Sequence, residues 1–511
     1  MFRTISLIVA SSLCLILAFP PFEIWPLVFI ALVPVLLLIE GQSAGKAFRT
    51  TALTGLLFYL FMLYWFINMA WSASIPVFLS VTAWLLLCLY LSVYYGLFGA
   101  GAVYFSRIPH ALRLFMLPAF WVVLEFIREH FLSGFGWLGL GYAPYRYLPL
   151  IQIADITGVF GISYLVVLVN LCLKEFIFKR GRPDRGFVRA TMIGIVLIWA
   201  ILIYGRVRLD AFRTDGHEQT TVTIVQPNID QQRKWRPTSW PRIMDELLLL
   251  TRQAIRDGEE DLIIWPETSF PGYLWEDSGG FERMRSFILG IDKPLLFGIV
   301  TGRDQMIYNS AMLLLPTGQV AAQYDKRHLV PFGEFLPLRR FLPFLGAIIP
   351  VADFSPGESL TRFPVPGKPG RFFSAVICFE DTVARVVRGF VRNGTHLLVN
   401  LTNDAWFLDT HEPILHLQTA VFRAVENRRA LVRAANTGIS CVIAPTGSIQ
   451  SRLSDSQGKE TFVAGFMTAR VGLWDGMTFY TRFGDLFSLL CLFGVGAGWL
   501  ACKIHFNSIE H

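Results

Sequence analysis

About eight apolar runs dominate the chain, and all but one crowd into its first two hundred or so residues. They fall at 5–20, 23–39, 51–71, 75–105, 112–126, 150–178, 189–204 and 486–503. Roughly 20 apolar residues in helical form cross a bilayer core, so each run is a candidate membrane span. Composition agrees. Hydrophobic residues make up 53% of the chain and charged residues only 16%, against about 25% charged in a soluble domain. The first two runs are short and separated only by FPPFE. A signal peptide over residues 1–18 is the alternative for the first. Against it, no A-x-A-like cleavage site precedes Pro20, and a second apolar run follows at once.

Basic residues set the orientation, since cytoplasmic loops carry the excess of lysine and arginine. Lys46 and Arg49 follow the second run, and Arg107, His110 and Arg113 follow the fourth. Lys174, Lys179, Arg180, Arg182, Arg185 and Arg189 flank the connection from sixth to seventh. These loops are expected in the cytoplasm, with the N-terminus inside and the segment after the seventh run outside. Lys503 returns the C-terminus to the inside. The net charge of +7 is thus mostly topology. Nucleic-acid binding is not expected, because the basic residues sit beside spans rather than along one soluble face.

From about residue 212 to 480 the pattern changes. Short runs such as TVTIVQPN, DLIIWPE, PLLFGIV, AMLLLP, FFSAVICFE, HLLVNLTND and SCVIAPTG read as strands. WPRIMDELLLLTRQAIRD and ILHLQTAVFRAVENRRALVRAA read as amphipathic helices between them. Alternating strands and helices predict an α/β layered domain. Several strands end on polar residues: Glu267, Cys378 with Glu380, and Asn403 with Asp404. Ligands gather beyond the carboxyl ends of strands in such sheets, so these ends mark a candidate site.

Seven cysteines are present. Cys14, Cys88, Cys172, Cys491 and Cys502 lie in or at apolar runs, where cysteine packs as a small hydrophobe. Cys378 and Cys441 remain in the soluble part, with no disulfide framework and no zinc spacing. A thiol retained on the oxidising side of a membrane points to use, although inert packing is the ordinary place for a cysteine at a strand end. Thiolate needs a cation or a base nearby. Lys326, in YDKRHLVPFGEF, is the candidate cation, and Glu267, in LIIWPET, the candidate base. Each has a plain alternative: a solvated surface lysine, and a carboxylate that caps a helix or pairs with an arginine.

The conjunction of WPE, YDKRHLVPFGE and ICFE, in that order, resembles the Glu–Lys–Cys triad of the nitrilase superfamily. LTNDAWF, FGWLGLGY, IYNSA and VENRRALVRAANTGIS, on a chain with apolar runs at both ends, narrow the resemblance to the apolipoprotein N-acyltransferase family. That resemblance implies a polytopic α-helical membrane domain of about eight spans joined to an α/β nitrilase-like α-β-β-α sandwich. The expected divisions are a membrane domain at 1–211, a periplasmic catalytic domain at 212–480, and a final transmembrane helix with its tail at 481–511. It implies that Glu267 is the general base, that Lys326 stabilises the tetrahedral intermediate and that Cys378 is acylated. It also implies substrate-binding roles for Trp235, Asn309, Glu334, Phe379 and Glu380.

The implied reaction moves an acyl chain from a phospholipid, phosphatidylethanolamine, through a cysteine thioester. The acceptor is the α-amine of a diacylglyceryl-cysteine on a lipoprotein. No metal or cofactor is expected, and a monomer in the bacterial inner membrane is. Residues 335–350, FLPLRRFLPFLGAIIP, read as a lid or membrane-dipping arm, with Arg339 and Arg340 near lipid headgroups, the plain alternative being a covered core loop. Three positions depart from the family's pattern. Phe379 stands where tyrosine is common, Leu408 where glycine is common, and Gly136 where proline is common before Trp137.

Two other readings remain open on the residues alone. A membrane-tethered amidase would use the same triad with water as acceptor. A transporter or scaffold with an accessory domain would place ionisable residues within its spans. Glu125 and Asp155 are the candidates for that, and both lie near span ends.

Overall fold

The computed structural model describes residues 2–178, 185–212, 217–255, 258–274, 276–337 and 353–507. The chain divides into two compact units. One takes Met1–Ile67, Val77–Ala211 and Arg482–His511, the other Asn68–Pro76 and Phe212–Thr481.

The first unit is helical, and its helices follow the apolar runs unevenly. Three helices are long and apolar enough to cross a membrane: Val77–Tyr104, Phe160–Ile177 and Thr191–Ala211. A fourth arises if Ala44–Met62 and Tyr64–Ser72, bent by 48°, are counted as one span. About eight spans are thus not confirmed among the described residues, where four shorter apolar helices, Phe2–Ala18, Trp25–Ile39, Leu148–Thr157 and Leu486–Leu500, take the place of some of the expected runs. The first run forms a helix of only 17 residues, Phe2–Ala18. The second breaks into a 3₁₀ turn, Trp25–Phe29, and a seven-residue helix, Val33–Ile39. Side chains satisfy the backbone freed by that break: Asn170 accepts from the Leu32 amide at 2.8 Å and donates to the Val28 carbonyl at 2.9 Å, and Ser11 Oγ accepts from the Val35 amide at 3.0 Å. Irregular backbone survives at bilayer depth when protein groups take up its hydrogen bonds. The fifth run forms His110–His130, which carries Pro118 inside it and Arg128 in its last turn. Outward residues of the long helices are apolar, among them Phe78, Leu86, Val196, Trp199 and Ile203. Contiguous apolar surface of that kind suits lipid rather than water.

The second unit holds two six-stranded sheets. Its strands are β1 Gln219–Gln226, β2 Leu262–Ile264, β3 Leu295–Arg303, β4 Met306–Leu314, β5 Val320–Asp325, β6 Phe363–Pro364, β7 Phe372–Ile377, β8 Leu397–Thr402, β9 Ala430–Ala435, β10 Cys441–Ile443, β11 Ile449–Arg452 and β12 Gly465–Gly472. The first sheet runs β12-β1-β2-β3-β4-β5 and the second β11-β10-β9-β8-β7-β6. Strands β1, β2 and β3 are parallel neighbours, as are β7, β8 and β9. Parallel sheets are covered on both faces, and these strands are correspondingly buried along most of their length. Val225, Ile263, Leu295, Phe297, Ile299 and Leu314 meet Ile243, Met244 and Leu247 of the Trp240–Ala254 helix and Met284 and Ile288 of the Ser278–Ile291 helix. Each such buried aliphatic side chain contributes about 1.5–3 kcal/mol. The alternate residues, such as Ile264 and Leu296, fall on the opposite face and are equally buried.

All seven strand-like runs contain strands. The stretch ILHLQTAVFRAVENRRALVRAA is not one helix, however. Its helix, Glu412–Asn427, stops at Arg428, whose φ of +48° is left-handed, and ALVRAA continues as β9. Residues 68–76 carry a further surprise, because they belong with the second unit. Asn68 Nδ2 donates to the Phe407 carbonyl at 3.0 Å, Ser72 Oγ to the Trp406 carbonyl at 2.6 Å, and Gln232 Nε2 to the Trp71 carbonyl at 2.8 Å. The third apolar run thus ends in the α/β unit. Most of the apolar arm expected at 335–350 lies outside the described residues.

Candidate active site

The carboxyl ends of β2, β5 and β7 carry Glu267, Lys326 and Cys378, respectively. Lys326 Nζ lies 3.8 Å from Glu267 Oε1 and 2.9 Å from Glu334 Oε2. Asn309, on β4, ties the two carboxylates together: its Nδ2 donates to Glu267 Oε1 and to Glu334 Oε1, each at 2.8 Å. The Val330 amide donates to the other oxygen of Glu334 at 2.9 Å. A buried ammonium thus faces a buried carboxylate, Glu267, and a half-buried one, Glu334, and an amide fixes their spacing.

Close backbone approach sets Glu267. Gly298 on β3 donates to the Pro266 carbonyl at 3.1 Å. A Cβ at Gly298 would stand 2.3 Å from the Thr268 amide nitrogen and 2.7 Å from the Glu267 Cα. Only glycine fits there. Cys378 takes a left-handed φ of +50° at the head of the 3₁₀ turn Cys378–Thr382. Such conformations cost about 1–3 kcal/mol in non-glycine residues and cluster at functional sites.

Burial dominates the electrostatics. It pushes the Glu267 carboxyl above its usual value, against the opposing charge of Lys326. It pushes the Cys378 thiol well up, helped by the negative charge of Glu267 and opposed by Lys326. For Lys326, burial works downward, but Glu334 and then Glu267 outweigh it and the ammonium is held firmly protonated. The resting pair is therefore a neutral thiol beside a carboxyl of raised proton affinity.

The remaining expected residues take different places. Glu380 is fully buried. Its Oε1 accepts from Tyr324 Oη at 2.7 Å and from the Arg327 and His328 amides at 2.8 and 3.0 Å, and its Oε2 from the Ile377 amide at 2.8 Å. It clamps the chain after Lys326 to the chain before Cys378. Phe379 is half-buried and stacks on His328 with ring centres 6.1 Å apart. Trp235 is half-buried, with its ring 6.2 Å from that of Tyr273. Cys441 lies in β10, three strands from β7, which is about 14 Å at the usual strand spacing.

Lys234 and most of a buried ionic cluster had no sequence signal; of the cluster, only Asp404 stood at a strand end read from the sequence. Lys234 is buried and donates to the Glu267 carbonyl at 3.0 Å. Beneath Cys378 lies a buried ionic cluster. His416 Nε2 is 2.7 Å from Asp381 Oδ1 and 3.3 Å from the Cys378 carbonyl oxygen, and its Nδ1 is 3.2 Å from Asp404 Oδ1. Arg433 donates to Asp381 and to Asp404, each at 3.1 Å. Burial and Arg433 work to lower the His416 imidazole, but the two aspartates outweigh them and raise it to about 10. Asp404, Glu412 and His416 have the spacing of a cation site, but Arg433 and His416 already supply positive charge to both aspartates. These residues come from the 3₁₀ turns Cys378–Thr382 and Asp404–Phe407, the helix Glu412–Asn427 and β9, and no sequence spacing links them.

Comparison with known proteins matches this layout. Residues 221–475, which contain every residue of the site described above, match the carbon-nitrogen hydrolase family, and residues 11–172 match the apolipoprotein N-acyltransferase N-terminal domain. Over 98% of its length the chain is 38% identical to the apolipoprotein N-acyltransferase of Geobacter metallireducens, covering 96% of that protein. The chain belongs to the apolipoprotein N-acyltransferase family. A second family member, from Bradyrhizobium diazoefficiens, is 33% identical over 95% of this chain and 92% of its own. Among solved structures, an amidase from Nesterenkonia aligns with 52% of this chain and 94% of its own at 20% identity, with a TM-score of 0.38.

Proposed function

We propose that this family member transfers an acyl chain from a phospholipid to the N-terminal α-amine of a diacylglyceryl-cysteine lipoprotein, through an acyl-cysteine. The observation that carries this reading is the convergence of Glu267, Lys326 and Cys378 within a chain that also holds long, outwardly apolar helices. Both substrates carry lipid chains, and apolar helices give such an enzyme access to them.

Glu267 takes the proton from the Cys378 thiol as sulfur adds to the ester carbonyl of phosphatidylethanolamine. Charge builds on the carbonyl oxygen, and Lys326 stabilises it. Collapse breaks the ester C–O bond. The departing alkoxide takes the proton from Glu267, leaving a lysophospholipid and a thioester. The lipoprotein amine then adds to the thioester, Glu267 accepts its proton, and the C–S bond breaks. That thiolate recovers the proton, and the amide is the product. Covalent catalysis divides one difficult transfer into two easier ones. Asn309 and Glu334 hold Glu267 and Lys326 in place, Glu380 positions the two flanks of the site, and Trp235 and Phe379 line the approach to Cys378. We further propose that residues 212–480 face the periplasm of an inner-membrane, multi-pass protein.

Intact mass spectrometry after incubation with phosphatidylethanolamine tests the first half. The expected result is one acyl mass on the parent, removed by hydroxylamine and absent from Cys378→Ala. Cys378→Ala, Lys326→Ala and Glu267→Ala are each expected to abolish transfer to an amine acceptor. A parent that neither gains an acyl mass nor acylates an amine would overturn the reading. Free fatty acid without acylated amine would favour the amidase.

A further inference from the structure

Lys234 sits on a single turn, Gln231–Lys234, directly after β1. Asp230 caps that turn, accepting from the Gln232 and Arg233 amides at 3.0 Å each. The Lys234 carbonyl accepts from Trp240 Nε1 at 3.2 Å. The backbone is therefore clamped on both sides, and it sends the side chain inward, where Lys234 is only 2% exposed. A buried ammonium is costly unless charge nearby compensates it. Its hydrogen bond runs to a neutral group, the Glu267 carbonyl, at 3.0 Å. The charged or ionisable groups that act on it are the Glu267 carboxylate and the Cys378 thiol. Lys326 and Glu334 lie beyond Glu267.

Charge in the site explains why a second ammonium belongs there. Without Lys234, one cation, Lys326, faces the carboxylates of Glu267 and Glu334. When Glu267 takes the thiol proton, the S–H bond breaks, an O–H bond forms, and the negative charge moves to sulfur. Lys326 stays bound to Glu334 throughout. Sulfur then needs a counter-charge that Glu334 does not already hold.

We propose that Lys234 is a second cation of the active site, which stabilises the Cys378 thiolate while Glu267 holds its proton. The ammonium itself exchanges no proton in this step. Burial lowers Lys234 to about 8, against the raising influence of Glu267 and Cys378. It is thus charged at neutral pH and loses that charge in mildly alkaline solution. The inference rests on Cys378 as the nucleophile.

The test is the pH dependence of alkylation of Cys378 by iodoacetamide in the full-length detergent-solubilised protein, read by peptide mass spectrometry. Lys234→Met removes the charge and the donor, and Lys234→Gln removes the charge but can still donate to the Glu267 carbonyl. Both are expected to slow alkylation about tenfold at pH 7, with the difference from the parent closing as the pH rises past about 8 and Lys234 loses its charge. Should the Met variant not fold, the Gln variant carries the same readout. A Gln variant with the parent's rate at pH 7 and the parent's melting temperature would reduce Lys234 to a structural donor and overturn the proposal. Alkylation reads the thiolate without any lipid. A parent that takes no acyl group would therefore sink the acyl-transfer reading while the rate difference at pH 7 still decided Lys234.

Discussion

Asn309 donates from one nitrogen to both Glu267 and Glu334, so the two carboxylates cannot drift apart or change roles freely. Their mutual repulsion helps raise the Glu267 carboxyl, after burial and against Lys326. A base works only when deprotonated. The acid limb of kcat/KM is therefore expected above the ordinary carboxylate value of about 4.3. Glu334→Gln removes one of the negative charges that raise Glu267, so that limb should move to lower pH in whatever turnover the variant keeps. Glu267→Gln should lose the limb altogether, with a fall of about 10²–10⁴ in rate. A pH–rate profile of acyl transfer across the three proteins checks both. An unmoved limb in Glu334→Gln would remove Glu267 as its source.

At the scale of elements, the loop after β8 shows how a sequence departure is absorbed. Leu408 stands where glycine is common, and its φ of +56° and ψ of −167° fall in a region almost reserved for glycine. The loop keeps the glycine-like turn and carries the strain. Around it, the Phe407 and Trp406 carbonyls accept from Asn68 and Ser72, contacts that a relaxed turn would misplace. Leu408 is 37% exposed, so little burial is lost on replacing it. Leu408→Gly should stabilise the protein by about 1 kcal/mol, seen as a higher melting temperature. An unchanged or lower value would show that the backbone there is not strained. The helix Glu412–Asn427 and strand β9 follow from the same logic of context. A run with helical spacing turns into a strand because Arg428 caps the helix in the left-handed region and β8 offers a parallel partner.

Across the whole molecule, the chain leaves its helical unit and enters the α/β unit twice, at 68–76 and at Phe212. The helix Val77–Tyr104 begins directly after the first excursion. With Lys46 and Arg49 before that excursion and Arg107 after the helix, the proposed topology would put residues 68–76 and 212–480 on the same side of the membrane by the charge rule. A reporter fused after Tyr204 is expected to be active only in its periplasmic form. Activity of a cytoplasmic reporter there would invert the proposed topology.

The sequence by itself determined the division between apolar helices and an α/β region, seven of the twelve described strands, and the polar strand ends that carry Glu267, Cys378 and Asp404; Lys326 was legible only as a candidate cation, without the strand it follows. Apolar runs and polar strand ends are local patterns, and local patterns survive in one dimension. Tertiary structure alone decided the rest. It set how many apolar runs form long continuous helices, because breaks such as the one at Trp25–Phe29 are stabilised by Asn170, far along the chain. It alone placed β9 as a strand, since the parallel partner lies outside the segment. It alone buried Lys234 beside Glu267 and assembled Asp381, Asp404, His416 and Arg433 beneath Cys378. The physical reason is shared. A charged side chain reads as solvated until the fold removes its water, and only the fold states which opposite charge replaces it.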